Sequence, residues 1–155
     1  MTERIIWEFL AACIGTIAFA LLFQVPKKYY ALCGLIGGCG WVCYAVLLNW
    51  CSSPVAPFFA HVAVVFLSRL CAIRQKCPVT VFLISGIFPL VPGAGIYWTA
   101  YYIVTNDLAQ AGERGFLTLK IAVAIVLSIL LVFELPQGLF RRLAGQRKKE
   151  GKSVK

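Results

Sequence analysis

Two prolines and two glycines interrupt one long apolar stretch of this sequence, residues 79–104. Pro89 and Pro92 each lack a backbone N–H group and crowd the carbonyl four residues earlier, so a continuous helix is disfavoured there. Gly93 and Gly95 follow, with backbone freedom and no side-chain bulk. We therefore predict two half-helices, with the break between Pro89 and Gly95.

A break of this kind could bind a charged solute at membrane depth. The start of a half-helix presents free N–H groups and the positive end of the helix dipole to an anion. The two prolines also free the carbonyls of Ser85 and Phe88, which would suit an ammonium group or a coupling cation. Broken helices form substrate sites in many transporters for these reasons. The alternative is a proline kink without a ligand, because prolines are common in membrane helices.

Ionisable side chains are the other candidates for chemistry, and the sequence has only six acids and one histidine. They form no cluster of the kind that enzymes need, so we expect no enzymatic activity. His61 lies in an apolar helix, where it is either a proton-coupling residue or a hydrogen-bonded packing residue. Asp107 is a second proton-coupling candidate, although Asn106 before it favours a helix end. Glu8 favours a structural role near the membrane interface.

The seven cysteines lie mostly in apolar runs, without histidines or carboxylates at metal-ligand spacing. An odd number of scattered cysteines indicates packing residues, so we predict no metal site and no disulfide framework. The sequence also lacks a Walker motif, which argues against direct use of ATP. No cofactor is expected.

The composition predicts an integral membrane protein, because 61% of the residues are hydrophobic and only 14% are charged. We predict an all-α bundle of about five transmembrane helices, the fourth of them broken. Residues 1–140 would form this module, and residues 141–155 a basic cytoplasmic tail. The five predicted helices lie at about Ile5–Phe23, Tyr29–Trp50, Pro54–Ile73, Val79–Val104 and Phe116–Leu135.

The net charge of +9 is unevenly distributed. Five crossings would place the seven basic residues of the tail on the same side as Lys27, Lys28, Arg69, Arg74 and Lys76, and leave Arg4, Arg114 and Lys120 on the other. This bias predicts a cell-membrane protein with its N-terminus outside and its C-terminus in the cytoplasm. Basic residues beside apolar segments also indicate contact with membrane lipid rather than with nucleic acid.

Gly34 and Gly38 form a GxxxG pair in the second predicted helix. Such a pair lets another helix approach closely. The partner helix would belong either to this subunit or to another one, so a homo-oligomer is left open.

Three motifs resemble the threonine/serine exporter family: Phe23-x-Val25-Pro26, Pro78-x-Thr80-x-Phe82, and Ile87-Phe88-Pro89-Leu90-Val91-Pro92-Gly93 with Tyr97. The resemblance is to the small C-terminal-half component of about five helices. It implies a subunit of a secondary exporter for threonine, serine or related small carboxylates. It also implies a separately encoded membrane partner that carries the N-terminal half. The alternative is a non-transporting scaffold that stabilises a partner protein.

Substrates of this class carry a carboxylate, which needs positive potential without a costly buried cation. The amide groups of Gly93, Ala94 and Gly95 would supply it. With the neighbouring hydroxyl groups and ring, the candidate substrate site comprises Ser85, Phe88, Pro89, Pro92, Gly93, Ala94, Gly95, Tyr97 and Thr99.

Overall fold

The computed structural model describes residues 2–51 and 53–144, and within these ranges it contains helices and no strands. A short 3-10 turn precedes the second helix at Lys27–Tyr29, and another follows the fourth at Phe88–Leu90. The helices are α1 (Thr2–Leu22), α2 (Tyr30–Leu47), α3 (Val55–Gln75), α4 (Thr80–Ile87), α5 (Gly93–Val104), α6 (Leu108–Glu134) and α7 (Gln137–Leu143).

Four of the described segments are long and apolar enough to cross a membrane. These are α1, α2 with its preceding turn, α3 and α6. The α4 and α5 helices together make a fifth candidate, bent by 51° at the proline-rich break. The predicted fold class, an all-α bundle with a broken fourth span, is therefore confirmed.

The start of α6 differs from the prediction, which began this helix at about Phe116. The helix begins at Leu108, about two turns before Phe116. Asn106 adopts a left-handed conformation with φ 61°, and the Asp107 carboxylate accepts a hydrogen bond from the Gln110 amide at 3.2 Å. This N-cap starts the helix early because it satisfies one of the amides that has no partner inside the helix.

The α1 and α2 helices run antiparallel and approach closely at a row of glycines. A Cβ atom at Gly34 would lie 3.0 Å from Ile17, and one at Gly38 would lie 2.6 Å from the Phe9 ring. Gly37 leaves no room at all, since a Cβ there would overlap the Thr16 side chain. Both glycines of the GxxxG pair therefore pack against a helix of the same subunit.

The core lies between α2, α3 and α4, and glycines permit close contact there too. A Cβ at Gly40 would overlap Val64 of α3, and one at Gly86 of α4 would lie 3.1 Å from Ile36 and 3.2 Å from Val64. The Tyr29 and Phe82 rings meet edge to face, with centroids 5.3 Å apart. The buried core residues here are Ala20, Val25, Tyr29, Cys33, Ile36, Ala60, Val64, Ala72, Phe82 and Leu90.

Arg69 ties the end of α3 to the end of α6. Its guanidinium group donates to the carbonyls of Val132, Phe133 and Leu135. These carbonyls lie at the end of α6, where no further N–H groups of the helix are available to bond them. The guanidinium also lies over the Phe140 ring of α7, 4.3 Å from its centroid. From the sequence, Arg69 was only one of the basic residues placed on the cytoplasmic side. In the structure its side chain is buried and caps the end of a neighbouring helix.

Two contacts fix the direction of α3 relative to α6. Pro54 lies beside Phe116 and Lys120 near the start of α6, whereas Arg69 meets the end of α6, so α3 and α6 run parallel. The beginning of α1 and the short helix α7 therefore lie at opposite ends of the bundle. Most of the predicted basic tail, residues 145–155, lies outside the described residues.

Candidate substrate site at the broken helix

The break in the fourth span occupies five residues between two helices. The α4 helix ends at Ile87, the 3-10 turn covers Phe88–Leu90, and α5 begins at Gly93. Pro89 has no N–H group to give to the Ser85 carbonyl four residues earlier, which ends the regular α-helical ladder. The backbone then becomes extended at Val91 (φ −65°, ψ 133°), and this residue turns the chain into α5.

The amide groups that open α5 are only partly satisfied. The Gly93 N–H donates to the Val91 carbonyl at 2.7 Å, and the Ile96 N–H donates to the Pro92 carbonyl at 3.1 Å. The amides of Ala94 and Gly95 find no acceptor within residues 2–51 and 53–144. Gly93 and Ala94 are exposed and Gly95 is partly exposed, so the positive end of the α5 dipole is open to a solute.

The α4 side of the break has fewer free polar groups than the sequence predicted. The Phe88 carbonyl is not free, because the Val91 amide donates to it at 3.2 Å. Ser85 is completely buried, and its hydroxyl donates to the carbonyls of Val81 and Phe82 on its own helix. The Phe88 ring packs on Phe19 of α1, with centroids 4.2 Å apart.

The α5 side of the break faces outward and toward α6. The Thr99 hydroxyl donates to the Gly95 carbonyl at 2.7 Å, and Tyr97 is 62% exposed with its ring against Trp98. Pro92 and Thr99 line an open groove of about 640 Å³ between the two helices. The other residues of this groove are almost all apolar: Val91, Ile96, Ala100, Ile103, Gly115, Thr118, Leu119, Ala122, Ile125 and Val126.

The two proton-coupling candidates lie in different surroundings. His61 is completely buried, and its Nδ1 lies 2.8 Å from the Pro57 carbonyl. A carbonyl only accepts, so Nδ1 carries the proton and Nε2 of the neutral ring is left as an acceptor. Nε2 has no hydrogen-bond partner in the described part of the chain. Asp107 is exposed and serves as the N-cap of α6, so it lies at the end of a candidate span and not inside one.

Trp41 is a residue that the sequence did not single out. Its indole Nε1 donates to the Glu8 carboxylate at 3.3 Å, so it joins α2 to α1. Glu8 indicated that such a partner exists, because an acidic side chain inside an apolar helix needs a nearby hydrogen-bond donor. The donor's position, 33 residues away along the chain, follows only from the helix pairing. No group of His, Cys, Asp or Glu that could hold a metal ion is found among the described residues.

Comparisons with known proteins agree with the resemblance. The profile of the family described as "Threonine/Serine exporter, ThrE" matches residues 8–134. A "Probable threonine/serine exporter" of Mycobacterium tuberculosis is 29% identical over 136 residues, covering 82% of this chain and 25% of that protein. An "Uncharacterized protein" of Haemophilus influenzae is 30% identical over 96 residues, covering 61% of this chain and 32% of that protein.

The chain thus spans about a quarter to a third of the length of these two relatives. No solved structure matches it significantly.

Proposed function

This chain belongs to the threonine/serine exporter family, and from that premise we propose that it is a subunit of a secondary exporter for threonine, serine or related small carboxylates. The family is one of membrane transporters and not of enzymes, and the apolar helices are those of a multi-pass membrane protein. The observation that carries the proposal beyond family membership is the broken fourth span, whose exposed amides have no acceptor in the described chain.

The substrate carboxylate would bind at the start of α5. The amides of Ala94 and Gly95 supply hydrogen bonds and the helix dipole supplies positive potential, so a buried cation is not needed. Gly93 keeps this surface clear, since a Cβ there would have no neighbour within 4 Å among the described atoms. The Thr99 hydroxyl lies one turn further along the same helix.

A partner is part of the proposal. The longer relatives have about three to four times the length of the region that this chain covers. From the resemblance to the small C-terminal-half component, we propose a separately encoded membrane subunit that carries the N-terminal half. The α5 helix supports this idea, because the free amides at its start need a cover that the described part of this subunit does not provide.

The orientation and the coupling ion are also proposals. The basic residues Lys27, Lys28, Arg74 and Lys76 lie at the same end of the bundle as α7, which favours that end as the cytoplasmic one. His61 is the preferred proton-coupling candidate over Asp107, because its Nε2 is buried and unpaired among the described residues. A reporter fused to the C-terminus should be active in the cytoplasm; activity on the outside would contradict the orientation.

The function is tested by measuring export from cells preloaded with labelled threonine, serine or succinate. Cells that lack this chain should retain the label, and cells in which it is restored with its partner should release at least one of the three. If release is unchanged by deletion, the chain is not an exporter subunit. If release is lost because the partner no longer accumulates in the membrane, and recovers when the partner level alone is restored, the chain is a scaffold instead.

A further inference from the structure

Arg69 carries a positive charge that no acid of the described chain pairs with. The residue is only 8% exposed, and arginine is rarely buried to that degree without an anionic partner. Its three carbonyl partners belong to the end of α6, which supplies only about half an elementary negative charge. Among the described residues, the only ion pair joins Arg4 to Glu8. Part of the Arg69 charge is therefore left unbalanced.

The guanidinium group of Arg69 also has unused donors. Its bonds to carbonyls all come from Nη1, whereas the N–H groups of Nε and Nη2 have no acceptor in the described part of the chain. Within that part only His61 Nε2 and Ser68 Oγ are both sealed and unpaired, so the two free nitrogens of Arg69 are open to solvent. The centroids of the Phe133 and Phe140 rings lie 5.3 and 4.3 Å from the guanidinium carbon. Carbonyls and rings together hold this donor edge in a fixed position.

Arg69 lines an open cavity of about 710 Å³ between the end of α3 and the corner that joins α6 to α7. Lys76 and Gln137, which both carry side-chain N–H donors, border the same cavity. Glu134 borders it too, but forms no ion pair with Arg69 or Lys76 in the described chain. Two positive side chains therefore face one negative side chain among the described lining residues. The cavity opens to its surroundings, as a site that exchanges its ligand with water or with lipid headgroups requires.

We propose that this cavity binds an oxyanion, either the carboxylate of a small solute or the phosphate of a lipid headgroup. The N–H groups of Nε and Nη2 lie on one edge of the planar guanidinium, which suits two parallel hydrogen bonds to an oxyanion. Lys76 is exposed and adds positive potential at the rim. The cavity lies at the end of the bundle proposed to be cytoplasmic, so a solute bound there would be on the loading side of an exporter. Only this last step rests on the proposed function.

Ligand binding to the purified full chain tests the site without any need for export. Equilibrium binding of labelled succinate and threonine measures the affinity for a free carboxylate. Native mass spectrometry after release from nanodiscs of phosphatidylglycerol or phosphatidylcholine measures lipid that stays bound, and the anionic phosphatidylglycerol should be retained more. Arg69→Met should lower the affinity for the bound oxyanion by at least about tenfold, because hydrogen bonds between charged groups are lost.

Two exposed residues test the site without disturbing the buried contacts of Arg69. Lys76→Asn removes one positive charge, and asparagine tolerates the left-handed backbone at this position (φ 52°). It should weaken binding about threefold, as is typical of an exposed charge. Glu134→Gln removes the acid that borders the cavity and should strengthen binding by about the same factor. The matched control is Arg74→Gln, an equal loss of charge at an exposed position of α3 outside the cavity lining, which should leave binding unchanged.

The outcomes separate the two sources of the oxyanion. Binding of succinate or threonine that responds to these variants assigns the site to a solute, and retention of phosphatidylglycerol that responds to them assigns it to a lipid. The proposal is overturned if the wild-type chain binds neither, or if Lys76→Asn and Glu134→Gln bind as Arg74→Gln does. These two variants decide the result even if Arg69→Met does not fold. A chain that binds the oxyanion but supports no export would remove the proposed function and leave the site standing.

Discussion

The same residue type, glycine, has opposite surroundings in two regions of this protein. In the four-helix body, α1 to α4, Gly37 and Gly40 lie against Thr16 and Val64 with no space for a methyl group. In the hairpin formed by α5 and α6, Gly93 and Gly112 have no described neighbour within 4 Å of a Cβ position. Gly37 and Gly40 therefore bring helices of the body together, whereas Gly93 leaves the backbone at the break uncovered.

The two regions also differ in burial. The buried core residues that cluster together come largely from α2, α3 and α4, while α5 contributes none. In a membrane, exposed apolar surface normally faces lipid, so burial alone does not mark α5 as unusual. Its free amides do, because unpaired backbone groups are costly in lipid and persist where protein or a wet cavity covers them. The hairpin is therefore the region that needs something beyond this subunit.

Gly37→Val should have the largest effect on stability. The added side chain overlaps Thr16 and forces α1 and α2 apart, which should cost about 3 kcal/mol, the upper part of the range for overpacking. Gly112→Val introduces the same side chain into open space on α6 and serves as the control. The melting temperature in detergent should fall only for Gly37→Val. Equal melting temperatures would remove the contrast between body and hairpin.

Arg69→Met should have the next largest effect. It leaves the carbonyls at the end of α6 without their shared donor in a buried place, at a cost of about 2 kcal/mol. The matched control is Arg74→Met, since Arg74 lies in the last turn of the same helix but is exposed. Thermal unfolding measures the stabilities of the two variants, and only Arg69→Met should be less stable than wild type. If they are equally stable, Arg69 does not hold α3 and α6 together.

Gly95→Ala should have the smallest of the three effects. Its methyl group would meet the Thr118 hydroxyl on α6, which can give way by rotating, so about 1 kcal/mol is expected. Thr118→Ala in the same chain should restore most of the loss, as residues in contact do not contribute additively. A double-mutant cycle of melting temperatures measures this coupling. Additive effects would show that α5 and α6 do not pack through this pair.

The sequence was informative wherever backbone chemistry is local. Pro89 and Pro92 predicted the break because each removes a hydrogen bond at a known place in the helix. Asn106 and Asp107 predicted a helix end because their short polar side chains bond to nearby backbone groups. The helix that they start was nevertheless placed about two turns too late. Gly34 and Gly38 predicted a close helix contact but not which helix makes it.

The sequence was uninformative where a contact joins distant helices. The contact of Arg69 with the end of α6 was not predicted, because nothing in the sequence places it beside carbonyls more than 60 residues away. The partnership of Glu8 with Trp41 depends on the register between α1 and α2. The sequence also did not show that the rotation of α4 about its own axis buries Ser85. Helix rotation and register are set by packing, which no single residue encodes.

The account depends on the uncovered amides at the start of α5 being the place where the solute binds. The most direct test is export of labelled threonine, serine and succinate by Gly93→Leu, compared with wild type and with Gly112→Leu at equal membrane levels. A Cβ atom at position 93 has no described neighbour within 4 Å, so we expect leucine there to leave the fold intact and to cover the amides. Export should then fall by at least about tenfold, the loss of one or two charge-assisted hydrogen bonds. Export of every substrate at the wild-type rate would contradict the account.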